Sequence, residues 1–249
     1  MNDSSQRVVA VIPARYASTR FPGKPLVPIL RKPMIEWVYE RTAATAVDEV
    51  LVATDDERIA ECVERFGGRC VMTSPDHPTG TDRIAEVARN LDTHWILNVQ
   101  GDEPLIPSDV LDQLIARMRG QGQSEMGTVA VPIQHDDPEF TDPNIVKVVV
   151  DAAGNAMYFS RSGIPCDRDG GADVQALAHW GIYMYTADLL QRFVKWPQGQ
   201  LERCERLEQL RAMENGVRIQ VLVGRGRCLG VDTPEDVARA EALLQAEES

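Results

Sequence analysis

The sequence is poor in cysteine and has no long hydrophobic run. Its five cysteines are scattered, odd in number and without a CxxC pair, which argues against a disulfide framework or a zinc site and favours reduced thiols. No stretch approaches the roughly 18 apolar residues of a membrane-spanning helix, and the N-terminal MNDSSQR lacks the apolar segment of a secretion signal. We therefore expect a cytoplasmic protein with no membrane insertion.

Basic residues are fewer than acidic ones. The chain has 26 Lys and Arg residues against 38 Asp and Glu residues, a net charge of −12, so nucleic acid is not expected as a partner. The 249 residues, 43% of them apolar, are enough to bury one sizeable core. Neither a low-complexity linker nor an internal repeat divides them, and we predict a single domain over residues 1–249.

The first half alternates apolar, β-branched runs with amphipathic segments. RVVAVI, EVLVAT, RCVMT and HWILNV are typical of buried strands, and helical periodicity lies between them. This order predicts right-handed βαβ crossovers and a mainly parallel α/β sheet. In the second half strands follow one another through turns, which predicts an inserted mixed-sheet lobe at roughly 128–200, before a helix at 201–215.

A cationic loop follows the first strand. In PARYASTRFPGK, Arg15 and Lys24 stand out in so acidic a chain, while the single glycine excludes both GxGxxG and a Walker loop. Arg offers a planar fork to phosphate and Lys a compact positive charge, so this loop is a candidate polyphosphate site. A solvated surface loop is the alternative.

Carboxylates follow other strands. Asp102 and Glu103 come after HWILNV, and Asp232 precedes a helix start at which Thr233 and Asp236 fit capping positions. Ligands of parallel sheets collect beyond the carboxyl ends of strands, and Mg²⁺ is usually held by one or two carboxylates plus substrate phosphates. The simpler interpretations are that Asp102 and Glu103 form an acidic turn and that Asp232 is an ordinary polar residue before the helix cap. Taken together with the cationic loop, these residues indicate a nucleotidyl-transfer site.

The second half offers polar groups for an acceptor pocket. The candidates are Arg161, Arg168, His179, Tyr183, Tyr185, Glu202, Glu205 and Gln209. The last three gather on one side of the helix predicted after Leu201. A solvated helix face and a core histidine are equally compatible with these patterns.

The motifs together are similar to those of the 3-deoxy-manno-octulosonate (Kdo) cytidylyltransferases, the CMP-Kdo synthetase family. IPARYASTRFPGKPL, HPTGTDRIAEV, NVQGDEPLI, HWGIY, LERCERLEQLR and GVDTPEDV occur in order from about Arg7 to Leu244. The resemblance implies a GT-A-like nucleotidyltransferase fold, a homodimer formed through the inserted lobe, and Mg²⁺-dependent use of CTP. It implies attack of the anomeric hydroxyl of Kdo on the α-phosphate, with release of pyrophosphate.

The resemblance also implies residue roles. Arg15 and Lys24, with Ser18 as a weaker candidate, would hold the triphosphate, and Asp102 and Asp232 would bind Mg²⁺. The nucleotide would also meet Thr79, Gly80, Thr81, Arg83 and Gln100. The small acidic acceptor would meet Gln100, Arg161, His179, Tyr183, Glu205 and Gln209.

Departures from the family pattern lie mostly on the acceptor side. Ala178 and Thr186 stand where the family commonly has basic residues, and Cys166 where an aromatic is frequent; Thr79, where Ser is common, is a mild change. Alternative acceptors are therefore 8-amino Kdo, another ulosonic acid, or a small phosphonate such as phosphonoformate. A regulator without catalysis and a glycosyltransferase are further alternatives; the second usually carries a DxD motif, which QGDEP is not.

Overall fold

The computed structural model describes residues 6–17, 21–120, 124–169, 175–226 and 230–247. The candidate Ser18 lies outside these ranges. None of the described helices is both long enough and apolar enough to cross a membrane.

The centre of the fold is a mixed sheet that is mainly parallel. Its strands and a small hairpin are β1 (Val8–Ala14), β2 (Pro28–Ile29), β3 (Lys32–Pro33), β4 (Glu49–Thr54), β5 (Cys70–Met72), β6 (Trp95–Asn98), β7 (Met126–Ile133), β8 (Lys147–Val150), β9 (Ala156–Ser160), β10 (Ala176–Thr186) and β11 (Ile219–Val223). The order in the sheet is β5-β4-β1-β6-β10-β7-β11, and β10 alone on this path runs antiparallel to its neighbours. The predicted mainly parallel α/β sheet is confirmed.

Helices cover both faces of this sheet. They are α1 (Met34–Ala43), α2 (Glu57–Arg65), α3 (Gly80–Ala88), α4 (Ser108–Gly120), α5 (Pro138–Thr141), α6 (Ala187–Phe193), α7 (Gln200–Glu205), α8 (Gln209–Glu214) and α9 (Pro234–Glu247). Side chains of α1, α2 and α4 belong to one core cluster, and those of α3, α6 and α8 belong to a second. The sheet thus lies between two apolar layers, as expected for βαβ crossovers.

Residues 128–200 are less separate than the sequence suggests. β7 and β10 belong to the central sheet, while β8 and β9 form a hairpin that extends it from β10. The hairpin turn is set by Asp151, whose carboxylate accepts from the backbone N–H groups of Ala153 (2.9 Å) and Asn155 (2.8 Å). That this region makes a dimer contact stays a prediction.

The helix predicted over residues 201–215 is wrong as a single element. α7 ends at Glu205, its C-cap Arg206 has a φ of 54° in the left-handed region, and α8 begins at Gln209. Leu207 in the break is buried in the core. Burial of this leucine accompanies a reversal of the chain that helical periodicity alone does not reveal.

An ion pair in the interior holds the two short helices together. Arg211 on α8 donates through Nε (2.8 Å) and Nη2 (2.5 Å) to the carboxylate of Glu202 on α7, and the two side chains are only 7% and 3% exposed. The hydrogen bonds to Glu202 raise the pKa of Arg211 against the effect of burial. Removing one partner would leave the other charge buried without compensation.

We therefore expect Glu202→Gln to lower the free energy of unfolding by about 3–5 kcal/mol, measured by urea denaturation. The matched control is Glu125→Gln, which removes a carboxylate from the exposed pair with Arg192, 2.6 Å apart. That variant should cost less than about 1 kcal/mol. Equal losses in the two variants would contradict the structural role given to the Glu202–Arg211 pair.

Candidate active site

A cleft of about 470 Å³ opens at the carboxyl ends of β1 and β6. Its described lining is Pro13, Ala14, Arg15, Ala17, Lys24, Pro25, Pro78, Thr79, Gly80, Gln100, Gly101, Asp102 and Glu208. The chain runs outward from β1 to β4 and β5 and then returns to β6 on the other side of β1, so the cleft lies where the strand order reverses. Ligands of open α/β sheets bind at this kind of position. Six predicted site residues are thereby brought together.

The turn after β6 brings the backbone close to β1. A Cβ on Gly101 would lie 3.0 Å from the carbonyl oxygen of Pro13 and 3.5 Å from Ile12. Glycine therefore lets the loop carrying Gln100 and Asp102 lie directly against the end of the first strand.

Lys24 joins two distant acidic segments in the cleft. Its Nζ lies 2.6 Å from Oδ2 of Asp102 and 3.0 Å from Oδ1 of Asp232. The lysine side chain is 14% exposed. Burial by itself lowers the pKa of Lys24, but the two carboxylates outweigh this effect and raise it.

Local structure explains how Asp232 arrives there. The Val231 N–H donates to the Asp102 carbonyl at 2.9 Å. At the start of α9 the Asp236 carboxylate accepts from the backbone N–H (3.0 Å) and the hydroxyl (2.9 Å) of Thr233, so the predicted cap is confirmed. The cap and the backbone bond together fix Asp232 beside Asp102.

The donor set at this point suits magnesium. The oxygens of Asp102 and Asp232 converge on one ammonium group, which shows that the two carboxylates can approach a single cation. No cluster of three or more His, Cys, Asp or Glu is found among the described residues. Two carboxylates completed by phosphate oxygens and water match the preference of Mg²⁺.

Arg15 also lines the cleft and brings a positive charge to it, in contrast to the two carboxylates. Its Nη1 reaches the carbonyl of Pro78 at 3.4 Å, while Nη2 is buried without a hydrogen-bond partner among the described residues. Burial, then the nearby charge of Arg83, lowers the pKa of Arg15, and Asp55 opposes the shift. A guanidinium with a spare donor is suited to an anionic ligand.

Arg83 occupies a different environment from the one expected. Its side chain is fully buried, its Nη2 lies 3.0 Å from Oδ2 of Asp55, and its Nη1 donates to the Thr73 hydroxyl. The structure thus places it behind the cleft rather than on its lining. Direct contact of Arg83 with the nucleotide stays a prediction, and Asp55 is a structural partner that the sequence analysis did not identify.

The N-terminus of α3 faces the cleft. Thr79 is the N-cap: its hydroxyl accepts from the Asp82 N–H at 3.2 Å and donates to Asp82 Oδ2 at 2.8 Å. Gly80 lines the cleft, and the Thr81 hydroxyl donates to Glu208 at 2.8 Å. The positive end of the helix dipole therefore adds to the charge of Arg15.

Gln100 lines the cleft next to β10, whereas Tyr183 and His179 of β10 are not among the described residues of its lining. Gln100 Nε2 donates to Asn98 at 3.1 Å and to the carbonyl of Gly181 at 3.4 Å. Burial raises the pKa of Tyr183 well above its ordinary value, and the nearby charges of Glu208 and Glu103 act in the same direction. A neutral phenol and an amide at this end can recognise hydroxyl groups by hydrogen bonding.

His179 is enclosed by aromatic rings. Its ring centroid lies 5.0 Å from that of Phe159 and 5.4 Å from that of Tyr183, and its Nε2 lies 2.9 Å from the Thr128 hydroxyl. Burial lowers the pKa of His179 to about 3. The imidazole is therefore neutral at physiological pH and serves as a hydrogen-bonding group rather than a cation.

Glu205 and Arg161 are joined by hydrogen bonds between the end of β9 and the end of α7. The Glu205 carboxylate accepts from the Ser160 hydroxyl (2.7 Å) and the Arg161 N–H (3.0 Å), and Arg161 Nε donates to the Glu205 carbonyl (2.8 Å). Neither residue is among the described lining of the cleft, and Gln209 is buried. Acceptor contacts by these residues stay predictions.

Glu208 is the acidic residue that the sequence analysis missed. It lines the cleft, and burial raises its pKa against the opposing hydrogen bond from Thr81 and the charge of Arg211. Helical spacing places Glu205 on the polar face only if residues 201–215 form one continuous helix. The break at Arg206 presents Glu208 to the cleft instead.

Comparisons with known proteins agree with this cleft. Residues 9–219 match the sequence profile of a family described as Cytidylyltransferase. The 3-deoxy-manno-octulosonate cytidylyltransferase of Syntrophotalea carbinolica is 51% identical over 247 residues, covering 96% of this chain and 98% of that protein. The chain therefore belongs to the cytidylyltransferases, and among them to the 3-deoxy-manno-octulosonate cytidylyltransferase family.

Solved structures show the same fold. The chain resembles a CMP:2-keto-3-deoxy-manno-octonic acid synthetase complexed with CTP, with a TM-score of 0.93, 42% identity and coverage of 97% and 99% of the two chains. It also resembles a 4-diphosphocytidyl-2C-methyl-D-erythritol synthase from Anaerococcus prevotii, with a TM-score of 0.65, 14% identity and coverage of 98% and 100%. At that identity the second likeness shows the fold alone. The predicted nucleotidyltransferase-like fold is confirmed.

The low pKa of His179 predicts a pH-dependent loss of stability. Between pH 6.5 and 3 the unfolded chain binds a proton at His179 that the folded chain does not. The free energy of unfolding is therefore unaffected by this residue above pH 6.5 and decreases as the pH falls towards 3. From pH 7 to pH 5 we expect about 1–2 kcal/mol more loss in the native protein than in His179→Phe, measured by urea denaturation. Identical pH dependence in both proteins would contradict burial of a neutral imidazole.

Proposed function

We propose that this protein transfers CMP from CTP to the anomeric hydroxyl of Kdo and releases pyrophosphate. The observation that carries the proposal is the convergence of Asp102 and Asp232 on Lys24, which lines the same cleft as Arg15. Support comes from the 42% identity to a synthetase complexed with CTP and from the 51% identity to a protein named for this acceptor.

The nucleotide half of the site supplies positive charge and position. Arg15, Lys24 and the N-terminus of α3 bind the triphosphate, and Thr79 and Gly80 lie beside it. Asp102 and Asp232 would hold Mg²⁺, which would supply charge neutralisation and Lewis-acid polarisation at the phosphates. Most of the rate enhancement then comes from alignment of the acceptor and from stabilisation of charge, since the protein has little covalent chemistry to perform.

The acceptor half is neutral or acidic. Gln100 and Glu208, which line the cleft, offer hydrogen bonds to sugar hydroxyls. Tyr183, which lies near Glu208, and His179, which packs on Tyr183, support them from outside the described lining. Because the pKa of Glu208 is raised by burial, this carboxyl group is suited to accept a proton from an attacking hydroxyl. We assign the acceptor region to these residues.

The departures from the family pattern do not favour a different acceptor. Ala178 is 4% exposed and belongs to the core cluster on the α4 face, whereas His179 contacts Phe159 of the other cluster. Thr186 is the N-cap of α6 and accepts from the Leu189 N–H at 3.1 Å. Neither lies on the described lining of the cleft. We therefore favour Kdo over 8-amino Kdo, another ulosonic acid or phosphonoformate.

Two further properties belong to the same proposal. We infer a homodimer formed through residues 128–200, and a cytoplasmic location where CTP is available. Sedimentation of the purified protein would test the first, because a monomer at micromolar concentration would overturn it.

Acceptor identity is tested by pyrophosphate release from CTP and Mg²⁺ with each acceptor offered separately. We expect release with Kdo to exceed that with 8-amino Kdo or phosphonoformate by at least about tenfold, a discrimination of about 1.4 kcal/mol. Faster release with another acceptor would keep the nucleotide site and replace Kdo. Tight CTP binding without release would support a regulator.

The metal site is tested by Asp102→Asn. This change keeps the size of the side chain and removes one of the two carboxylate charges, so we expect kcat to fall by at least about 100-fold, or about 2.7 kcal/mol. Raising the Mg²⁺ concentration should recover part of the loss. Asp76→Asn, on an exposed loop, is the control and should leave the rate unchanged.

Glu208 and Glu205 form a matched pair of variants. We expect Glu208→Gln to lower kcat/KM for Kdo by about 100-fold while the KM for CTP changes little, because its carboxylate lies in the cleft. Glu205→Gln should chiefly lower thermal stability, since its carboxylate holds Ser160 and Arg161. The opposite pattern would return the acceptor role to Glu205.

A further inference from the structure

The contact of Lys24 with both candidate metal ligands has a consequence for binding order. Its ammonium is within 3.0 Å of one oxygen from each carboxylate, and it is the point on which the two converge. A magnesium ion would need oxygen ligands at about 2.1 Å around that same point. The ammonium and the metal therefore compete for one position.

We propose that Lys24 acts as a resident cation that closes the metal site until nucleotide binds. This inference rests on the assignment of Asp102 and Asp232 to the metal in the proposed function. In the nucleotide-free protein the ammonium is paired with both carboxylates and offsets one of their two negative charges, and a divalent ion must displace it to enter. The triphosphate, which carries more charge than either carboxylate, draws the ammonium away and leaves the pair open.

The geometry of Lys24 suits such an exchange. The lysine follows Gly23, which has a φ of 71° and precedes a single 3-10 turn over Lys24–Leu26 that fixes the backbone. Its backbone is thus held while its flexible four-carbon side chain can change direction. Lys24 and Arg15 line the same cleft, so a phosphate bound by Arg15 is within the same 470 Å³ space as the ammonium.

Closure by Lys24 would couple two binding events. The metal would bind weakly without nucleotide, and the nucleotide would bring in the metal by releasing the carboxylates. A ligand gains affinity when another ligand removes its competitor, and this gain is reciprocal. Lys24 would therefore serve first the carboxylates and then the triphosphate, which is a second role beside phosphate binding.

The test is a titration of the nucleotide-free protein with Mn²⁺, in which the electron paramagnetic resonance signal measures the free Mn²⁺. We expect Lys24→Met to bind Mn²⁺ at least tenfold more tightly than the native protein, and Lys24→Gln to do the same. The double variant Lys24→Met/Asp102→Asn should lose this gain, which shows that the ion enters the carboxylate pair.

Arg15→Met is the matched control, because it removes one positive charge from the same cleft without a contact to either carboxylate in the structure. It should change Mn²⁺ affinity less than threefold. An equal gain in Arg15→Met and Lys24→Met would reduce the effect to general electrostatics and overturn the proposal. Circular dichroism melting confirms that each variant is folded before it is compared.

Failure of this inference is separable from failure of the proposed metal site. If Asp102→Asn abolishes pyrophosphate release but neither Lys24 variant binds Mn²⁺ more tightly, the metal site stands and Lys24 does not close it. If Asp102→Asn leaves release unchanged, the metal assignment itself fails, and the inference fails with it.

Discussion

The burial of β1 between two parallel neighbours is the constraint on which the site depends. Residues Val8 to Ile12 are fully buried, and β1 is paired with β4 on one side and with β6 on the other. Because Val8, Ala10 and Ile12 face one core cluster and Val9 and Val11 face the other, a one-residue shift of register would exchange these side chains and disrupt both packings. The carboxyl end of β1 is therefore a fixed point, and Arg15 emerges from it into the cleft.

Charge is distributed locally in this acidic protein. With a net charge of −12, the chain as a whole repels a nucleoside triphosphate. Because salt screens charges that are far apart, the attraction that overcomes this repulsion has to come from groups close to the ligand. The cleft supplies these groups in Arg15, Lys24 and the N-terminus of α3. Lys24 is in turn paired with Asp102 and Asp232, and Asp55, which pairs with Arg83, acts on Arg15 only through its nearby charge.

Much of this arrangement could be predicted from the sequence, because it depends on short-range rules. Strand periodicity located β1 and β6, and the spacing of Thr233 and Asp236 located the start of α9. The position of Glu208 could not be predicted in this way. It depends on the left-handed backbone at Arg206 and on the burial of Leu207 in the core. Arginine gives no local signal for a left-handed conformation. Likewise, the family resemblance implies that Arg83 meets the nucleotide, and only the packing around Asp55 and Thr73 shows that its side chain is fully buried.

The two halves of the site differ in how strictly the fold determines them. On the nucleotide side, the ends of β1 and β6 and the cap of α9 place each charged group by backbone contacts, so the positions tolerate little change. On the acceptor side, the polar groups come from β10 and from the break between α7 and α8, where a bulge between Trp180 and Tyr183 shifts the strand register. Side chains that face the opposite layer, such as Ala178, can vary there without touching the acceptor. Under the proposed function, a change at such a position alters packing within the core, whereas acceptor preference depends on Gln100 and Glu208, which line the cleft.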